Sequence, residues 1–328
     1  MGKTRLASGL GLGALVAIVW LFAGQASASD HREADRHRGL EEAGEQLGIQ
    51  WFSPYAHGTE DRPVRIDPSD AAGLNALFRR QGFLMSGVRD GALAVPRLYV
   101  TRLPGDLRKL RQVEQRKQLF LRAVLPLILM NNERLRAERG RLLSIKERRQ
   151  SGRAISAGDQ NWLAGMADDY DTAPDDLDAL LLKVDLVPVS LALAQAILES
   201  GWGTSRFAVK GNALFGETAP VGNGPHMVKR DGTNVRFRAF PDLMESVRSY
   251  MHNLNTHPAY RAFRKRRAAE RAEGLVPSAK RLLPTLDSYA ELPGYLRRIR
   301  GLIHSNRLDQ LEGAHLDRNW FASRPLNF

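Results

Sequence analysis

The chain has no cysteine in 328 residues. That excludes disulfides, thiol nucleophiles, cysteine-ligated metals and a lipid anchor built on a cysteine, so the fold must rest on packing alone. Beyond the first two dozen residues, no run approaches the ~18 consecutive apolar residues of a membrane span. His-Glu-x-x-His is missing, and His252 and His257 lie at neither the usual zinc spacing nor beside an obvious carboxylate ligand. There is no Gly-x-Ser-x-Gly elbow for a serine nucleophile. Gly-x-Gly spacings near the start and at Gly222 lack a strand-to-helix context for nucleotide binding. The expectation is no metal and no cofactor.

Acidic residues are in the minority: 36 Asp and Glu against 48 Lys and Arg, a formal net charge of +12. The start resembles an export signal. Lys3 and Arg5 give a positive end, residues 10–23 an apolar core, and Ala26-Ser27-Ala28 a small-residue cleavage site, with cleavage expected after Ala28. No Arg-Arg pair precedes the apolar core, which favours the general secretory route over the twin-arginine one. The same segment also reads as an uncleaved anchor; after cleavage no stable membrane span is expected. Without Lys3 and Arg5 the charge is still +10, and such a surface favours an anionic partner. An exported protein rarely meets nucleic acid, which leaves the acidic peptides of a cell-wall polymer. An arginine-rich composition without functional meaning is the alternative.

Four regions are expected: a signal at 1–28, a polar tether and extended arm at 29–100, a compact domain at 101–315 and a tail at 316–328. In the second region a short helix is expected within Asp67 to Gly82 and an edge strand or arm within Leu93 to Val100. Arg116 to Arg139 has the period of a long helix that Pro126 should kink or divide. Arg134 to Arg153 and the run Lys265-Arg266-Arg267 look like solvated faces. Met227 to Ala239 is a hairpin with a two-residue Asp231-Gly232 turn. The fold class is α+β, mostly helical with a small β-hairpin lobe.

Residues 191–198 contain a single polar residue, Gln195, before Glu199-Ser200-Gly201-Trp202-Gly203. A helix apolar on nearly every side is buried, and Gly201 suits the left-handed position just past its end. Glu199 therefore sits in poorly solvated surroundings at a helix C-terminus. Both conditions disfavour its ionised form. A carboxylic acid that stays protonated near neutral pH can protonate a departing sugar oxygen.

A set of motifs extends this pattern: Asn131-Asn132-Glu133-Arg134 upstream, Leu181 to Asp185 leading to Pro188, Glu199 to Ala208, Gly211-Asn212-Ala213-Leu214-Phe215-Gly216, and Ser249 to His257. Together they resemble the bacterial endo-β-N-acetylglucosaminidases of the peptidoglycan hydrolases, Bax-type branch, over about Leu103 to Leu311. The resemblance implies a lysozyme-like fold that cleaves the β-1,4 bond after N-acetylglucosamine in peptidoglycan glycan strands, in the periplasm or cell envelope. It implies Glu199 as general acid, Trp202 packed beside it, and Asn212, Phe215 and Gly216 shaping the cleft. Tyr250 would face the same cleft, although its place in an apolar helical stripe also suits a core tyrosine. For the second carboxylate, Glu217 and Asp231 are the local candidates. Asp231 is equally a turn former, and Asp242-x-x-Glu245 has the spacing of a helix cap. A single catalytic glutamate would also suit a lytic transglycosylase on the same scaffold, and a cleft used only for wall binding is a third possibility.

Overall fold

A computed structural model describes residues 63–219, 224–229, 235–286 and 294–318. The signal, residues 29–62 of the tether, the Asp231-Gly232 turn and most of the tail lie outside these residues.

The body begins well before residue 101. Strand β1 (Val64–Ile66) pairs in parallel with β2 (Leu98–Val100), Val64 opposite Leu98. Parallel neighbours need a crossover. Helices α1 (Ala71–Arg80) and α2 (Met85–Arg89) lie between the two strands in the chain. Asp70 caps α1 by accepting from the Gly73 amide at 2.7 Å. Leu74 and Phe78, one helical turn apart, go into the main core with Phe83, Leu98 and Val100. A tether and arm over residues 64–100 is therefore corrected: its apolar residues are too few for a long periodic signal, yet enough to add a layer. The tail boundary at 316 moves as well, because Leu316 is buried and bridges to Val95.

Helix α3 (Val113–Gln150) runs 38 residues without division through Pro126. Proline in a helix interior costs about 3 kcal/mol, but residues 119–132 are buried on every side. Packing against β2 and the later helices outweighs the missing hydrogen bond. The segment expected to be solvated still places Leu135, Leu142 and Ile145 in the core.

Helices α4 (Ala157–Asp169) and α5 (Leu177–Lys183) lead to a short extended stretch. Both the Val187 amide and its carbonyl are paired by the Asn132 side chain, at 3.0 and 2.8 Å. Pro188 then starts α6 (Val189–Ser200). At its first turn, the Val189 and Ser190 amides donate to the Glu312 carboxylate at 3.1 and 3.3 Å, where helix orphan donors and dipole favour an anion.

After α7 (Arg206–Gly211) comes the hairpin, β3 (His226–Val228) antiparallel to β4 (Arg236–Arg238). Phe237 packs with Phe207 and Ala213 in a second, small cluster, so the alternation of apolar and basic residues turns one face inward. Val228 faces Arg236 across the two strands. Helix α8 (Leu243–Thr256) is capped by Asp242, which accepts from the Glu245 amide at 3.0 Å. The Glu245 carboxylate pairs with Arg248 at 3.1 Å.

Helices α9 (Arg261–Ala272), α10 (Ala279–Leu282) and α11 (Tyr295–Ser305) complete the body. Arg267 in α9 departs from a solvated charge run. It is fully buried and donates to the carbonyls of Asp185 and Leu186 at 3.1 and 2.9 Å. The class is the expected one, α+β and mostly helical with a small hairpin.

Candidate active site around Glu199

Helix α6 delivers Glu199 because residues 189–197, nearly everything before it on the helix, are buried. The helix stops in a Schellman-type cap: the Gly201 and Trp202 amides both donate to the Ile197 carbonyl, with Gly201 at φ +59°. Trp202 at +58° and Gly203 at +73° continue the left-handed turn. A side chain on Gly203 would strike Leu103, its Cβ only 2.3 Å from a Leu103 methyl. Trp202, a bulky residue in a region that normally disfavours one, stores backbone strain here.

The Glu199 carboxyl is partly buried, and one oxygen, Oε1, has no hydrogen-bond partner among the described residues. Burial pushes its pKa up to about 7, while a hydrogen bond from the Tyr295 hydroxyl pulls the other way. No basic side chain among the described residues offsets the burial. The group is thus poised to hold a proton near neutral pH and release it.

The Asn212-to-Gly216 turn closes over this carboxyl. Gly216 has φ +65°, and a Cβ there would lie 3.2 Å from Glu199 Oε2. Glycine permits both the angle and the close approach. Asn212, itself at φ +50°, donates through its side chain to the Phe240 and Pro241 carbonyls at 3.0 and 3.2 Å. It therefore ties the turn to the start of α8. Phe215 is buried and stacks flat on the Tyr250 ring, centroids 3.8 Å apart. Tyr250 is 1% exposed, which places it beneath the turn as a core tyrosine.

Trp202 packs its edge on Phe120, centroids 5.8 Å apart, and Lys117 Nζ sits over the indole at 5.1 Å. Its described contacts are to the start of α3.

Glu217 sits just past the turn, its main chain paired with Arg238 of β4. Its Oε2 accepts from Ser249 Oγ at 2.7 Å and Arg238 Nη1 at 3.2 Å, while Oε1 is buried without a partner among the described residues. Burial raises its pKa, and Arg238 and Ser249 oppose the rise. Asp231 lies outside the described residues. His252 Nε2 lies 2.8 Å from the Asp169 carbonyl oxygen, so its role is to join α8 to α4. Among the described residues no three His, Asp or Glu side chains gather where they could hold a metal. A separate cavity of about 680 Å³, lined by Arg97, Glu133, Arg136 and Arg318 among others, shares no residue with this site.

Sequence reasoning missed Tyr295 and Gln195 as site residues. Nothing in the sequence singled out Tyr295, and Gln195 stood out only as the lone polar residue of its run. The second was the available signal: a buried glutamine must find partners for both ends of its amide. It finds Tyr250 and Tyr295.

Residues 176–308 match the glucosaminidase family described as mannosyl-glycoprotein endo-β-N-acetylglucosaminidase. Protein Bax of Escherichia coli K12 is 36% identical over 194 residues, covering 56% of this chain and 67% of Bax. The exo-glucosaminidase LytG of Bacillus subtilis 168 is 29% identical over 142 residues, covering 40% of this chain and 48% of LytG. Among solved structures, the catalytic domain of the autolysin Auto from Listeria monocytogenes is 20% identical, with a TM-score of 0.30 over 51% of this chain and 96% of that domain.

Proposed function

Because this chain belongs to the Bax-type glucosaminidase family, we propose that it cleaves the β-1,4 bond after N-acetylglucosamine in peptidoglycan glycan strands, with Glu199 as the general acid. The observation that carries the reading is a partly buried glutamate whose pKa is pushed up to about 7, with no cation beside it among the described residues.

In the reaction, Glu199 gives its proton to the glycosidic oxygen as the bond from that oxygen to the anomeric carbon breaks. The carboxylate left behind is stabilised by the Tyr295 hydroxyl, whose hydrogen bond favours the ionised form. Water then attacks the sugar carbon. Glu217 is the second carboxylate that would take the proton of that water, held in one orientation by Arg238 and Ser249. The protein acts after export to the periplasm or cell envelope, with the signal removed behind Ala28 and residues 29–62 leading into the body. Mature protein beginning at Ser29 in an envelope fraction is the expected finding.

A second reading, a lytic transglycosylase, is favoured by one feature of Glu217: both of its carboxylate oxygens are turned into the protein, one bonded and one buried. There the substrate's own hydroxyl attacks and one glutamate suffices. Digestion of purified peptidoglycan with wild type and Glu199→Gln, followed by mass spectrometry, tests both. Reducing N-acetylglucosamine ends from wild type alone support hydrolysis by Glu199. Anhydro-muramyl ends transfer the reaction to the lyase, and fragments released by Glu199→Gln remove Glu199 from its role.

A further inference from the structure

Gln195 and Glu199 stand one helical turn apart on α6, so their side chains share a face. Gln195 is fully buried, and its amide spans two tyrosines from distant parts of the chain. The Tyr250 hydroxyl donates to Gln195 Oε1 at 2.6 Å, and Gln195 Nε2 donates to the Tyr295 hydroxyl oxygen at 2.9 Å. Tyr295 in turn hydrogen-bonds the Glu199 carboxyl.

Each link dictates the next. With its hydroxyl proton on Oε1, Tyr250 turns the amide so that only hydrogens point at Tyr295. Tyr295 must then accept from Gln195, and its own proton is left for Glu199. Phe215, stacked on Tyr250, holds the first ring in place.

Resting on the assignment of Glu199 as the acid, we propose that Gln195 and Tyr250 are positioning residues: they fix the direction of the Tyr295 hydroxyl and thereby set how readily Glu199 gives up its proton. The titratable groups facing Glu199 are Tyr295 from α11 and Tyr260 from the turn Pro258–Tyr260, with Glu217 acting on Tyr260 from the hairpin side. Burial and Glu199 itself hold Tyr295 in its neutral form. Through the neutral range the relay therefore carries hydrogen bonds and no charge.

Tyr250→Phe removes one hydroxyl and keeps the stacked ring; Gln195→Met keeps the length of the side chain and removes both bonds. In Tyr250→Phe the amide is free to turn its oxygen to Tyr295, which draws the proton away from Glu199 and weakens support for the carboxylate. Turnover of purified peptidoglycan should fall about ten-fold with KM unchanged, the scale of one hydrogen bond to a charged group. The alkaline limb of the kcat–pH profile should move to higher pH, a shift that mere loosening of the fold does not produce. Wild-type kcat with an unmoved limb overturns the proposal, and so does a loss of kcat without a shift. Should Gln195→Met fail to fold, Tyr250→Phe decides alone. Glu199→Gln is assayed beside them: if it keeps turnover, the acid assignment falls. If it is inactive while the two relay variants match wild type, only the relay falls.

Discussion

Glu199 and Asp185 are two carboxylates set into the same helical body and tuned in opposite directions. Burial pushes both upward. Asp185, 3% exposed at its side chain, receives two hydrogen bonds from Arg271 at 2.7 and 2.8 Å and lies 3.8 Å from both Arg267 and Arg139. Those guanidiniums outweigh the burial and hold it below its ordinary value. Among the described residues Glu199 has a tyrosine and no arginine, so burial wins. Glu217 has one arginine and one serine beside it, a cation count between the two, and burial still holds it on the raised side. What separates an acid from a strut here is the number of cations placed around the carboxyl, and depth alone does not decide it.

The comparison breaks most visibly at Glu199. Glu199→Gln should lower turnover about 10³-fold, the scale of a lost general acid, and leave the thermal midpoint no lower than wild type, because no ion pair is lost. Asp185→Asn should do the reverse. It strands buried guanidiniums and should lower stability by about 3 kcal/mol, read from urea unfolding, while folded protein keeps its activity. The sign with pH follows from the lowered pKa. Asp185 contributes above the unfolded carboxylate range, and its contribution is lost as the pH falls through the folded value.

Glu217→Gln sharpens the middle case. A drop in kcat of about 10² is expected if it takes a proton from water, and unchanged turnover in a well-folded variant would favour the lyase. The smallest effect belongs to Gly216→Ala. Its left-handed backbone disfavours a Cβ by about 1–2 kcal/mol, and the new methyl would press on Glu199 Oε2. Stability and kcat should therefore both fall, and an intact kcat would show that the turn does not confine the acid.

Much of the acid's setting was legible in residues 191–203. The apolar run, broken only by Gln195, meant a buried helix, and Gly201 marked its end. Asp242 as a cap was legible for the same reason: caps are local chemistry. What escaped depends on contacts far apart in sequence. Gln195 meets Tyr295 across a hundred positions, and β1 meets β2 across α1 and α2. Arg267 looked like part of a solvated run because nothing nearby shows that four backbone carbonyls, from Leu182 to Leu186, converge on its guanidinium. Pro126 misled for the complementary reason, since burial on all sides of α3 overrode a local preference.

The most direct test is a ¹³C NMR titration of the glutamate carboxyls in the intact protein, with the Glu199 resonance assigned by its disappearance in Glu199→Gln. A midpoint near pH 7 is predicted, against the ordinary value of 4.5. A Glu199 carboxyl that titrates at the ordinary value would contradict the account.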